Sequence, residues 1–280
     1  MPPIIALLTD FGTQDTYVGV MKAVMLGICP EARFIDLSHN IQPQNVRQAA
    51  LALLSSYRFC PPGTVFLTVV DPGVGSSRKP IAVQAGDYFF VAPDNGLLSY
   101  VLADFAALNI VELNNPAYHL QPVSKTFHGR DIFSPAAAHL AAGTALTALG
   151  TPCERYAKQL MPQMKITGSL ISGTVLYADH FGNLITSIGE LAWEDPHTLA
   201  LTPRFGSREH TYLINTTRSR IAIGTAQISG IRDTYASVLR GDLLALVGSS
   251  GFLEIAANQG SAAEVLKLAA GASVTLEVVE

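Results

Sequence analysis

The feature that most constrains this chain is a change of pattern near its middle. In the first half, unbroken apolar runs alternate with segments of helical spacing. Residues 4–9, 33–37, 64–70, 81–84, 88–92 and 108–113 read as strands. Residues 15–29, 44–58, 96–105 and 131–142 read as helices. The first helix carries Tyr17, Val20, Met21, Val24, Met25 and Ile28 on one side and stops at Pro30. Strands without polar alternation are covered on both faces, so this half predicts an α/β fold with a mostly parallel sheet flanked by helices. From residue 166 the runs are shorter and turn residues separate them: 173–178, 183–188, 198–201, 210–214, 221–223, 243–247, 252–256 and 273–278. Only 261–268 is helical in spacing. That half predicts an antiparallel β-barrel or sandwich. The expected division is 1–150 for the α/β domain, 151–165 for a proline-bearing linker, and 166–280 for the barrel.

Composition narrows the function classes. Of the 280 residues, 49% are hydrophobic and only 14% charged, with a net charge of −4. A typical charged share is about 25%, and so apolar a chain is not disordered. No run of lysine or arginine marks a nucleic-acid or anionic-membrane partner. A spanning helix needs about 20 apolar residues, and the nearest stretch, 132–149, is broken by Ser134, Pro135 and His139. The short run at 4–8 has no basic segment before it and does not read as a signal peptide. Cys29, Cys60 and Cys153 lack CxxC spacing; they fit reduced thiols and a cytoplasmic location. The apolar surplus is expected in cores or subunit interfaces.

In a parallel sheet, ligands sit beyond the carboxyl ends of the strands. The segments there are Thr9-Asp10-Phe11-Gly12, Asp71-Pro72-Gly73-Val74-Gly75-Ser76-Ser77-Arg78, Pro93-Asp94-Asn95-Gly96 and Thr126-Phe127-His128-Gly129-Arg130-Asp131. Each pairs a carboxylate with glycine. Asp94-Asn95 equally fits turn chemistry, and Asp131 fits a helix N-cap. An Asp71–Arg78 ion pair could also simply brace a loop. His139, in an alanine-rich helix, reads as a core histidine. The histidines lack HxH or HExxH spacing, so a metal site is weakly supported. Gly73-Val74-Gly75 matches neither phosphate-loop pattern. In the second half, Asp179-His180-Phe181-Gly182-Asn183 and Gly248-Ser249-Ser250-Gly251 are polar corners. A hairpin turn accounts for Gly182-Asn183 alone, but not for Asp179 and His180.

Together these segments, with Tyr17-Val18-Gly19-Val20-Met21-Lys22, resemble the S-adenosyl-L-methionine hydroxide adenosyltransferases. These are adenosine-forming S-adenosylmethionine hydrolases related to the fluorinase and chlorinase enzymes. The resemblance runs in order over essentially the whole chain. It implies an N-terminal α/β domain, a C-terminal β-barrel and a homotrimer with active sites between subunits. It implies S-adenosylmethionine as substrate, no cofactor and no metal. It places Asp71, Arg78 and His128 around the attacking water, and Asp10 on the ribose hydroxyls. Phe127 lines the nucleoside pocket, Asp179 takes the methionine ammonium, Asn183 reads the adenine edge, and Ser249 lies near the methionine end. Asp94, Asn95, Gly129 and Phe181 fall in matching segments and join the substrate-binding candidates. The halogenases carry serine where this chain has Gly129, tyrosine at Asp71, arginine at Ser250 and tryptophan at Gln44. Hydroxide is therefore favoured over halide. The alternatives are a non-catalytic S-adenosylmethionine or adenosine sensor, halide-dependent adenosyl transfer, and a metal-dependent hydrolase using Asp10, Asp71, Asp94 and His128.

The chemistry suits these residues. A sulfonium leaves as a neutral thioether and needs no general acid. Bulk water has a pKa of about 15.7, so the nucleophile must be held and relieved of a proton.

Overall fold

The first strand, β1 (Ile4–Thr9), is buried along nearly its whole length and sits inside a seven-stranded sheet. The computed structural model describes residues 2–205 and 210–278. Contacts divide the chain into two compact units, residues 1–159 and 160–280.

In the N-terminal unit, β1 is followed by α1 (Tyr17–Ile28), β2 (Arg33–Ser38), α2 (Val46–Ser56) and β3 (Val65–Val69). Then come β4 (Pro80–Ala85), β5 (Tyr88–Pro93), α3 (Ser99–Leu102), β6 (Leu108–Glu112), α4 (Ser134–Ala141) and β7 (Thr151–Pro152). The strand order is β2-β1-β3-β5-β4-β6-β7. Strands β2, β1, β3 and β5 are parallel, whereas β4, β6 and β7 add antiparallel pairings. The sheet is thus mixed. The reason is local: Gly86-Asp87 joins β4 to β5, with Gly86 at φ +54°. A two-residue turn makes a hairpin and is far too short for a parallel crossover.

Alternate residues serve the two faces. Ile5, Leu7, Val65 and Leu67 pack with Met21 and Met25 of α1 and Ala136 and Ala137 of α4. Phe66 and Phe90 stack at 5.0 Å and lie among Tyr57, Tyr88 and Phe105. Helix α2 starts where Asn45 accepts a hydrogen bond from Gln48 N–H at 3.0 Å, a side-chain N-cap. Residues 151–159, within the stretch read as linker, stay with this unit. Thr151–Pro152 is its edge strand, and Ala157 N–H donates to Asp94 Oδ1 at 2.6 Å.

The C-terminal unit comprises β8 (Lys165–Thr167), β9 (Leu170–Ala178), β10 (Leu184–Gly189), β11 (Leu191–Asp195), β12 (Thr198–Leu201) and β13 (Tyr212–Asn215). It continues with β14 (Ser219–Ile223), β15 (Ala226–Ser229), β16 (Leu243–Val247), β17 (Phe252–Ala257), α5 (Ala262–Leu266) and β18 (Ser273–Val278). An antiparallel sheet runs β15-β14-β18-β9-β10-β17-β16, and β8 pairs with β9. A bridge between Arg232 and Leu246 brings its two edges close to closure. Inside lie Val175, Leu184, Ile221, Leu253, Ile255 and Leu276. Strands β11, β12 and β13 form a separate small sheet. This is the barrel-like fold expected of the second half.

Candidate active site

Strand β3 is fully buried and delivers the chain to Asp71 at its carboxyl end. The loop that follows doubles back tightly. A Cβ on Gly73 would sit 3.3 Å from Arg78 Cγ, and one on Gly75, at φ +77°, would sit 2.5 Å from the Lys125 carbonyl oxygen. Glycine permits both the backbone angle and the approach. The result is a two-pronged ion pair: Arg78 Nε donates to Asp71 Oδ1 at 2.9 Å, and Arg78 Nη2 donates to Asp71 Oδ2. The two side chains are only 9% and 5% exposed. Charges this deep are tolerated because they are paired and geometrically matched. The guanidinium also lies 5.2 Å from the centre of the Phe133 ring.

Arg78 Nη2 reaches His128 Nδ1 at 2.7 Å. Arginine only donates, so Nδ1 accepts and the neutral imidazole carries its proton on Nε2. Burial, then the neighbouring Arg78 charge, holds the His128 pKa below its ordinary value. His128 precedes one turn of π-helix, Gly129–Phe133, that leads into α4. Such turns recur at functional sites. One donor, Arg78 Nη1, is buried and has no hydrogen-bond partner among the described residues. A buried guanidinium N–H without an acceptor is costly, and it suits an oxygen-bearing ligand.

Asp10 follows β1. Its Oδ2 accepts from the Gln44 backbone N–H at 2.7 Å, where Gln44 holds the left-handed angle φ +67°. The floor beneath is braced by Thr9 Oγ1 and His39 Nδ1 at 2.9 Å. Phe127 belongs to a cluster with Phe11 and Tyr17, their ring centroids 5.2 to 6.0 Å apart. Gly129 lies under it: a Cβ there would meet Phe127 at 3.2 Å and Met21 and Phe11 at 3.4 Å. Phe11 and Tyr17 are therefore part of the aromatic wall, although the sequence reading selected Phe127 alone. Phe11 stands in Thr9-Asp10-Phe11-Gly12 and Tyr17 opens Tyr17-Val18-Gly19-Val20-Met21-Lys22, and that placement is the signal in the sequence.

Asp94 and Asn95 point their hydrogen bonds at backbone. Asp94 accepts from Ala157; Asn95 Nδ2 donates to the Val70 carbonyl at 2.8 Å, and its Oδ1 accepts from Leu97 N–H at 3.2 Å. Asn95 thus braces the end of the strand before Asp71, and Asp94 ties down the stretch that carries Ala157. Asp131 is not a helix N-cap. It is fully buried, accepts from Ser124 N–H at 2.7 Å and pairs with Arg130 at 2.6 Å. His139 is half-buried against Tyr118, with ring centroids 4.8 Å apart, and burial lowers its pKa. Among the described residues, no three His, Cys, Asp or Glu side chains are grouped to hold a metal ion. No helix among them is long and apolar enough to cross a membrane. All three cysteines are free.

In the C-terminal unit, Asp179 organises a single turn. Its Oδ1 accepts from the N–H groups of Phe181 and Asn183, both at 2.8 Å, and its Oδ2 accepts from Asn183 Nδ2 at 3.0 Å. Asn183 is buried, whereas Phe181 is 73% exposed. Phe181 and Asn183 line a cavity of about 570 Å³ with Tyr235, Gln259 and Ser261. Ser249 is exposed at the corner between β16 and β17. Beside this corner is a residue the sequence reading passed over. Glu254, on β17, is 4% exposed and accepts a hydrogen bond from the Tyr235 hydroxyl at 2.7 Å. The signal was present: one carboxylate within Phe252-Leu253-Glu254-Ile255-Ala256. A second cavity, of about 840 Å³, lies beside β6 and β7, and no candidate residue lines it.

Comparison with known proteins agrees over both units. Residues 5–150 match the SAM hydroxide adenosyltransferase N-terminal domain, and residues 173–275 match the C-terminal domain of the same family. A Thermus thermophilus protein named (R)-S-adenosyl-L-methionine hydrolase is 38% identical over 96% of this chain and 97% of its own length. A Salinispora tropica protein of the same name is 34% identical, over 96% and 95%. A protein named fluorinase, from an Actinoplanes species, is 28% identical over 98% and 97%. The crystal structure of an uncharacterized conserved Thermotoga maritima protein superposes with a TM-score of 0.83 at 35% identity, covering 97% of this chain and 99% of that one.

Proposed function

The chain belongs to the SAM hydroxide adenosyltransferase family, and from that premise we propose that it hydrolyses (R)-S-adenosyl-L-methionine to adenosine and L-methionine. The observation that carries the mechanism is the buried Asp71–Arg78–His128 cluster with its unpartnered Arg78 Nη1 donor.

The attacking water sits against this cluster, in line with the C5′–S bond. Arg78 Nη1 donates to its oxygen and favours developing hydroxide character. His128 Nε2–H is a donor and orients the water; it cannot accept the proton while Nδ1 is bonded to Arg78. Asp71 is the remaining acceptor, since a carboxylate keeps lone pairs beyond those Arg78 occupies. As the C5′–O bond forms, the oxygen becomes strongly acidic and its proton passes to Asp71. The C5′–S electron pair leaves with sulfur as a neutral thioether. One water is consumed, and one proton is released when Asp71 returns to its ionised form.

Asp10 accepts from the ribose diol, and Phe127, with Phe11 and Tyr17, forms the nucleoside wall. Asn183 reads adenine across the cavity it lines, and Ser249 lies near the methionine end. Asp94, Asn95 and Asp179 act by holding the turns on which these groups stand. Gly129 offers no hydroxyl and little room for one, so it disfavours a halide ligand.

We further propose a cytoplasmic homotrimer in which the first unit of one subunit and the second unit of its neighbour share each site. Purified protein incubated with (R)-S-adenosyl-L-methionine should release adenosine and methionine in equal amounts. Absence of either product sinks the reaction. Mixing inactive Asp71→Asn and Asn183→Ala subunits should restore part of the activity if sites are shared; no recovery after demonstrated subunit exchange contradicts sharing.

A further inference from the structure

The end of β1 carries a buried polar pair that takes no part in the proposed reaction. Residues Ile5 to Leu8 of that strand are apolar and at most 1% exposed. Thr9 follows on the face of Ile5 and Leu7 and is fully buried as well. Its hydroxyl meets His39 Nδ1 at 2.9 Å, and His39 is only 6% exposed. Two apolar side chains of similar shape would fill this space without needing partners.

His39 reaches this place through a break in register. Leu7 pairs with Asp36 but Leu8 pairs with Ser38, so Leu37 is an extra residue between them. Such an insertion re-aims the side chains that follow it. On the far side of the ring, His39 Nε2 is buried and lies 3.1 Å from Asp36 Oδ1, within ion-pair reach but out of line for a hydrogen bond. Asp36 Oδ2 in turn accepts from Lys22 Nζ of α1 at 2.6 Å. Burial acts to raise the Asp36 pKa, but Lys22 and then His39 outweigh it, and the carboxyl is held below its ordinary value.

A carboxylate only accepts, so the neutral ring carries its proton on Nε2 and takes the Thr9 hydroxyl hydrogen at Nδ1. Thr9 Oγ1 keeps lone pairs for the Phe11 N–H, 3.3 Å away. Every donor from Phe11 through Thr9 and His39 therefore points toward Asp36, and Lys22 closes the chain from the other side. The Gly12 N–H donates to the His39 carbonyl at 2.8 Å. His39 thus holds Thr9 and Phe11 through its ring and Gly12 through its backbone, and Asp10 stands among these pinned residues. The remaining tie on Asp10 is the Gln44 N–H to its Oδ2.

We propose that His39, oriented by Asp36 and Lys22, is a positioning residue: through Thr9 it fixes the direction in which Asp10 presents its carboxylate to the ribose diol. A hydrogen bond weakens steeply when its angle is lost, so a support of this kind is felt at the ligand. The inference rests on the ribose contact of the hydrolase proposed for this site.

The test measures binding, so it does not depend on turnover. Adenosine and 2′,3′-dideoxyadenosine, which lacks both hydroxyls, are titrated calorimetrically into the full-length protein. A hydrogen bond to a charged group corresponds to roughly 10- to 100-fold in affinity, and the wild type should prefer adenosine by about that factor. Thr9→Val keeps the shape and removes the hydroxyl. It should cut the preference about 10-fold, by raising Kd for adenosine alone. Thr9→Ser should retain the preference. Equal weakening of both ligands, an unchanged preference in Thr9→Val, or an equal loss in Thr9→Ser overturns the proposal. If Thr9→Val does not fold, Asp36→Ala decides, since the Asp36 side chain is 45% exposed and easily replaced. It should lower the preference severalfold, and an unchanged preference overturns the assignment. A wild type without any preference overturns it too, whatever the hydrolysis assay shows. A preference that follows these variants upholds it even where no adenosine and methionine are released and the hydrolase reading fails.

Discussion

In the N-terminal unit the buried carboxylate of Asp71 is met by Arg78, and a neutral His128 completes the cluster. In the C-terminal unit the buried carboxylate of Glu254 is met, among the described residues, only by a phenol, with a second acid nearby. The contrast is one of charge balance: one buried acid is neutralised within its own unit and the other is not. Water is a neutral reactant, so the group that holds it can be balanced within the protein. The matched cluster suits a neutral nucleophile, whereas the unmatched acid makes the stability of its unit depend on pH.

Three changes test that contrast, in order of expected size. Asp71→Asn keeps the shape of the matched cluster but removes its proton acceptor. It should lower kcat by about 10²- to 10⁴-fold, with little change in KM. Steady-state assays of adenosine release check this, and a normal kcat contradicts the role of Asp71. Next, Gly129→Ser inserts a Cβ and a hydroxyl beneath the aromatic wall, where contacts at 3.2 to 3.4 Å leave little slack. The cost should be about 1–3 kcal/mol in stability, read by urea denaturation. No halogenated nucleoside should form at high chloride; its appearance would show that this one position controls nucleophile choice.

The smallest effect is on pH dependence, where the units should differ in sign. Burial lowers the pKa values of His119, His128 and His139 in the N-terminal unit. Their folded pKa values lie below the unfolded value of about 6.5. The unfolded chain therefore binds more protons in that window, and stability is present above it and lost as pH falls through the folded values. Glu254 is the reverse. Its folded pKa is raised, so its contribution is present below the unfolded value and lost as pH rises through the folded one. Thermal melts of Glu254→Gln across that range should lack this loss, and an unchanged pH profile removes Glu254 from the comparison.

Much of this was legible in the sequence because burial and turn chemistry leave local marks. The change of pattern marked two architectures. The carboxylate–glycine segments marked the strand ends that carry Asp10 and Asp71. The mixed sheet was less legible, since an apolar run reads the same whether its neighbour is parallel or antiparallel. Only the two-residue link at Gly86-Asp87 decides it. The π-turn before α4 hid as ordinary helical spacing, and it turned Asp131 from a cap into a buried partner of Arg130. Glu254 escaped notice for a different reason. A lone acid in an apolar strand reads as a solvent-facing residue, and only the fold shows its outer face to be covered by Tyr235 and the Gly248 corner.

The central claim is that water attacks C5′ of the ribose, and the direct measurement is hydrolysis in water enriched in oxygen-18 followed by mass spectrometry of both products. One heavy oxygen is expected in adenosine, at its 5′-hydroxyl, and none in methionine. Heavy oxygen in homoserine, together with methylthioadenosine, places the attack on the amino-acid side of sulfur and contradicts it.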